Sequence, residues 1–196
     1  MRYGRIWLLL GVGLFSFYAV YAINRRDYKK NSKPMELTSS AFKDGDKIPV
    51  EYTCDSVETV ISPPLTWLNA PAETRSFVLT CVDIDAPHGK FVHWIVFNIP
   101  ATTTSFLENA RIAEMGIMQG LNGWHKLGYG GMCPLLGRHR YVFKIYALDT
   151  LLVDLDSRAK YSNILNSIHG HILASASLMG WYEKSVVRKT SIEVGD

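Results

Sequence analysis

Cysteine is scarce in this chain, and the little there is forms no pattern. Cys54, Cys81 and Cys133 are an odd count with no CxxC pair. That excludes a disulfide framework of the small secreted kind and a zinc-ribbon site. Cys81 lies inside an apolar run, where a thiol behaves as a small buried hydrophobe. Cys54 and Cys133 both lie in loops and can pair only if those loops meet, which the sequence does not determine. Internal repeats and low-complexity tracts are also missing, which excludes solenoid and propeller arrays. So is a basic excess beyond the N-terminus. Residues 1–34 hold seven Lys/Arg and one acid, whereas the remainder holds fourteen Lys/Arg and seventeen acids. The net charge of +3 is therefore set by the first residues. The remainder lacks the charge of a nucleic-acid binder, and no nucleic-acid partner is expected.

What is present suits one folded domain with a real core: 196 residues, 47% hydrophobic and 20% charged. Ile6 to Ile23 is an uncharged apolar run of eighteen residues, preceded by Arg2 and Arg5 and followed by Arg25, Arg26, Lys29, Lys30 and Lys33. As a helix it would be about 27 Å long, just short of a hydrocarbon core. It shows no polar face, so a soluble fold would have to bury it all round. Residues 1–23 are read as an uncleaved signal anchor that spans a membrane once. Cleavage after Val20-Tyr21-Ala22 is the alternative. The downstream charge favours a cytoplasmic domain, whereas a short apolar N-terminus behind two arginines favours export. The expectation taken is an extracytoplasmic (periplasmic) domain. Residues 24–35 then form a basic linker, 36–190 the domain and 191–196 a tail.

Within the domain the pattern is one of short strands. Ser76 to Val82 and Trp94 to Ile99 are apolar on both faces, as strands buried between two layers are. Tyr141 to Leu148 is rich in aromatic and β-branched residues. Lys47-Ile48-Pro49 is expected to open another strand, and Ser62-Pro63-Pro64 marks a loop or an edge. One segment has helical period: Tyr161, Ile164, Leu165 and Ile168 between Asp156 and Gly170, with Asp156 or Ser157 as the starting cap. Ile172 to Trp181 fits either a helix extension or a strand. The class that follows is mainly β, a two-sheet antiparallel sandwich with accessory helices and an N-terminal apolar helix.

Chemistry is concentrated in two distant segments. Asp83-Ile84-Asp85-Ala86-Pro87 ends one strand and leads to His93-Trp94 on the next. Gly128-Tyr129-Gly130-Gly131-Met132-Cys133-Pro134 leads to Gly137-Arg138-His139-Arg140-Tyr141. Both histidines begin apolar strands, so they fall at one rim of the sheet. Peptide N–H groups around Gly128, Gly130, Gly131 and Gly137 are expected to converge on an oxygen anion, with His93 and His139 as further donors. Asp83 would repel an anion, so its expected task is to fix a histidine tautomer. Asp85 is expected to satisfy turn amides in part. Arg140 alternates to the face opposite His139 and suits an ion pair. Trp67, Trp94 and Trp181 are expected in the core.

These two segments resemble the signature regions of the phosphatidylethanolamine-binding protein family, also called the Raf kinase inhibitor protein family, in its prokaryotic branch. Tyr52-Thr53-Cys54-Asp55, Ile61 to Leu65 with Trp67, Phe97 to Pro100 and Gly170 to Ala174 extend the likeness over about 37–184. The resemblance implies a two-sheet fold with a small anion pocket, no cofactor, and phosphorylated head groups as ligands. It also implies that the domain can inhibit or modulate a partner protein such as a kinase or protease. Asp83, Asp85, His93 and His139 map onto the pocket, with Gly130, Gly131, Pro134 and Tyr141 as its walls. Ile84, Met132 and Leu135 stand where the family has prolines, which makes the rim more apolar. Two other readings stay open on the residues alone. One is a hydrolase with Cys133 as nucleophile and His139 as base. The other is a metal site of Asp83, Asp85, His93 and His139.

Overall fold

The computed structural model describes residues 33–184. The apolar run 6–23, most of the basic linker and the tail lie outside the described residues. Among the described residues no helix is long and apolar enough to cross a membrane.

Two antiparallel sheets form the domain. The small one pairs β1 (Glu36–Thr38), β2 (Leu65–Leu68) and β5 (Ser105–Phe106) in the order β1-β2-β5. The large one holds β3 (Ser76–Asp83), β4 (Phe91–Pro100), β6 (Met118–Gln119), β7 (Arg138–Leu148) and β8 (Ile172–Glu183) in the order β6-β4-β3-β7-β8. Its central strands separate two apolar layers by simple alternation. Phe77, Leu79 and Cys81 of β3, with Tyr141, Phe143 and Ile145 of β7, pack with Leu37, Leu65 and Trp67 of the small sheet. Val78 and Val82 face the other way, onto Ile164 and Ile168 of the helix α1 (Tyr161–Ile168). Every residue of β3 is buried, as its unbroken apolar run requires.

Three expectations change. The helix starts at Tyr161, not near Asp156, because Asp156 closes a turn that pairs its carboxylate with Arg158 at 2.7 Å and its carbonyl with the Ala159 N–H. The first turn is held by Asn163, whose Oδ1 accepts the Lys160 N–H at 2.9 Å. Lys47-Ile48-Pro49 opens no strand. Lys47 makes a single bridge to Trp181, and a 3-10 turn follows at Val50–Tyr52. Trp67 and Trp94 are buried, but Trp181 is only half-buried, with the Arg138 guanidinium 3.8 Å from its ring centroid. Ile172 to Trp181, left open above, is strand.

Candidate functional site

The rim where β3 ends gathers the polar residues on the face toward the small sheet. Asp83 pairs with Phe91 of β4 and with Tyr141 of β7. Asp83 follows Phe77, Leu79 and Cys81 at period two, and His139 precedes Tyr141 and Phe143 in the same way, so both face the same layer. His93 gets there by a different device. The β3–β4 register slips between Cys81, opposite Trp94, and Val82, opposite Val92. His93 is the residue left over. This bulge lets His93 and Trp94, neighbours in sequence, both approach the inter-sheet side.

Asp83, His93 and His139 are 4%, 2% and 7% exposed. Polar groups buried this deeply need partners. His139 Nδ1 donates to Asp83 Oδ2 at 2.7 Å, and Asp83 Oδ1 accepts the Asp85 N–H at 2.9 Å. His93 Nδ1 donates to the Gly130 carbonyl at 2.9 Å. Both acceptors can only accept, which assigns the proton to Nδ1 in each ring. Nε2 is therefore a bare lone pair in the neutral ring and a donor only in the imidazolium. Burial pushes the His93 pKa below its ordinary value, against the pull of the Gly130 carbonyl and the Asp83 charge. The Tyr141 hydroxyl is buried beside the Asp83 carboxylate and the Cys133 backbone, with no hydrogen bond of close geometry. Burial, and then the Asp83 charge, push its phenol upward, so it keeps its proton.

Aromatic rings complete the walls. Phe91, Trp124 and Tyr141 stand edge-on to His93 with centroids 5.3, 5.1 and 5.2 Å away. Sequence reasoning missed Phe91 and Trp124. Trp124 rides on a tight turn in which Asn122 Oδ1 accepts the N–H groups of Trp124 and Lys126, at 3.0 and 3.1 Å. Asn122-Gly123 was the available signal, since Asn side chains cap such turns.

The glycine loop does less than expected as a nest. The Gly130 N–H is committed to the His93 carbonyl at 2.9 Å, so it is not free for an anion. Gly131 serves close packing instead: a Cβ there would lie 2.8 Å from the Thr53 carbonyl carbon and 3.0 Å from the Cys54 nitrogen. Gly131→Ala is expected to lower stability by about 1–3 kcal/mol, because backbone lies on the far side and cannot repack. Urea denaturation checks this, and an unchanged midpoint would refute it. Gly128 and Gly137 hold positive φ, at 95° and 68°. Pro134 is buried, and of the three residues expected to make the rim apolar, Leu135 and Ile84 are exposed at 85% and 37% whereas Met132 is fully buried in the core.

Asp85 lies off the histidine cluster. Its carboxylate clamps Arg140 through Nε at 2.8 Å, Nη2 at 2.7 Å and the backbone N–H at 2.8 Å. The guanidinium holds the Asp85 carboxyl down at about 2. Asp85 thus fixes the strand entry rather than offering a free acid to the pocket, and the turn amide is held by Asp83. Cys133 is bonded to Cys54, with Cα atoms 5.3 Å apart. In this bonded form Cys133 is no nucleophile, since a disulfide sulfur carries no thiolate. Among the described residues no group of three or more His, Cys, Asp or Glu is placed to hold a metal ion, which also removes the four-residue metal reading.

Residues 38–183 match the family model for phosphatidylethanolamine-binding protein. A UPF0098 protein of Methanothermobacter thermautotrophicus is 44% identical over 153 residues, covering 76% of this chain and 99% of the relative. The UPF0098 protein YbhB of Escherichia coli is 38% identical over 157 residues, covering 76% and 99%. The crystal structure of the phosphatidylethanolamine-binding protein homologue CT736 of Chlamydia trachomatis superposes with a TM-score of 0.73 at 41% identity, covering 79% of this chain and all of that one. Escherichia coli YbcL, described as a member of the mammalian family, gives 0.72 at 32% identity, covering 78% and 100%. With a matching model over most of its length and relatives aligned nearly end to end, this chain belongs to the phosphatidylethanolamine-binding protein family.

Proposed function

We propose that the domain binds small oxyanions, phosphate-type head groups among them, at the Asp83–His93–His139–Tyr141 rim. One observation carries this. Two buried imidazoles both use Nδ1 as a donor to the protein, which leaves two Nε2 atoms that become donors on protonation. Burial opposes charge on His93, and an anion supplies the counter-charge that burial withholds. The domain works by binding and not by catalysis, anchored through residues 6–23 with its pocket outside the cytoplasm. The Cys54–Cys133 disulfide supports that location, because such bonds persist in oxidising compartments. A second reading, modulation of a partner kinase or protease, is favoured by the exposed Leu135 and Leu136 beside the pocket.

Sulfate is the probe for the test, because its charge is constant from pH 5 to 8.5. The anion raises the bound-state pKa of His93 above its depressed free-state value. Between those two values binding takes up a proton, so affinity rises up to tenfold per unit of falling pH and levels off outside the window. Trp124 fluorescence or NMR reads the titration. His93→Ala and His139→Ala are each expected to weaken binding at least tenfold. A flat pH profile, or variants that bind as well as the parent, would remove the reading.

A further inference from the structure

The two cysteines of the disulfide sit on segments held very differently. Around Cys54 the chain is pinned. The Thr53 N–H and Oγ1 donate to the Val50 carbonyl at 3.0 and 2.8 Å, the Cys54 N–H to the Met132 carbonyl at 3.1 Å, and the Tyr182 hydroxyl to Asp55 Oδ2 at 2.8 Å. Upstream of Cys133 the loop is also pinned, by the buried Met132, whose N–H bonds the Tyr52 carbonyl at 3.3 Å. Downstream it is held only by the burial of Pro134. Among the described residues Pro134, Leu135, Leu136 and Gly137 make no hydrogen bond before β7 begins at Arg138. The exposed Leu135 and Leu136 add no burial to hold them. The bond to Cys54 is therefore the covalent tether beside a segment that packing of Pro134 alone holds before the chain reaches His139.

Cys54 is exposed, whereas Cys133 is half-buried, which makes Cys54 the side from which a partner thiol approaches the bond. We infer that Cys54–Cys133 is a reversible redox-modification site that gates anion binding, with a dithiol, small or on a redox protein, as the exchange partner. This rests on the anion-pocket reading above. A dithiol's thiolate attacks Cys54 Sγ, the sulfur–sulfur bond breaks, and its electron pair leaves on Cys133 Sγ. The second thiol of the reductant then resolves the mixed disulfide. Two electrons and two protons pass to the protein, and the reductant departs as its own disulfide. Freed of the tether, 133–137 no longer holds Pro134 as a wall or fixes the approach to His139. A chain still in a reducing compartment is then a poor binder; after export the reverse exchange, with a disulfide-bearing oxidant that takes up the two electrons and two protons and leaves as its dithiol, completes the pocket.

The full-length chain is titrated with sulfate in its oxidised form, after dithiothreitol, and after reoxidation, with amide NMR chemical shifts followed in each state. The expected result is at least tenfold weaker binding on reduction, shift changes confined to about 133–137 and its immediate contacts, and recovery on reoxidation. Equal binding in both forms overturns the gate alone. Failure of both forms to bind at any pH overturns the pocket reading and the gate with it. Loss of the dispersed native shifts throughout the five-stranded sheet overturns a local gate, since reduction would then act by unfolding the domain.

Discussion

His139→Leu lowers the stability of the domain by about 3–5 kcal/mol, and adding Asp83→Leu returns much of it. The side chains of this pair are 9% and 6% exposed, and the bond between them is 2.7 Å. Removing the imidazole strands a carboxylate at a depth where water cannot solvate it, with the Asp85 N–H still bonded. Removing both partners leaves apolar groups of similar size in an apolar wall, which is close to neutral. The bidentate Asp85–Arg140 pair is the contrast. The Arg140 side chain is 55% exposed, so solvent screens the pair and its loss costs far less than that of the buried pair. Urea denaturation of the two single variants and the double gives the coupling directly. A His139→Leu variant within 1 kcal/mol of the parent would mean that Asp83 is better solvated than its burial implies.

How far the sequence reveals this site depends on how each residue is placed. Asp83 and His139 were legible because strand alternation places them: each ends or begins a run with its apolar neighbours at period two. Ile172 to Trp181 was not, because an apolar run flanking a glycine fits either period, and the choice is made by the eleven positions of β8 that pair with β7. His93 was found by its context but not its geometry. A bulge is set by the pairing of two strands, and no local composition announces it. Gly130 was named for the wrong reason. Glycine permits both a free amide nest and a close approach, and only the position of the His93 carbonyl decides between them. Asp85 was assigned to the pocket with its neighbour, but the turn after Asp83 swings it to the outer side, where Arg140 takes it. The Cys54–Cys133 bond joins residues 79 apart, a contact that loop spacing alone does not fix.

That separation also sets the size of the second large effect. Replacing both cysteines, as Cys54→Ser with Cys133→Ser, is expected to lower stability by about 4 kcal/mol. A cross-link that closes a loop of this length removes much of the freedom of the unfolded chain, between the roughly 3 kcal/mol of a 15-residue loop and the 4.7 of a 100-residue one. The effect lies on the unfolded side of the equilibrium. The folded sheet therefore persists without the bond, as the strand pairings that flank it require, and only the tethered loop loosens. Two readouts separate these contributions. The urea midpoint falls with the loss of stability, and the slope rises because the unfolded chain without the bond is more expanded. A double variant within 1 kcal/mol of the oxidised parent, with an unchanged slope, would mean that the bond constrains neither state. A loss near the full 4 kcal/mol would leave a domain of ordinary stability close to its threshold while reduced. Secure folding and a complete pocket would then arrive together, with oxidation.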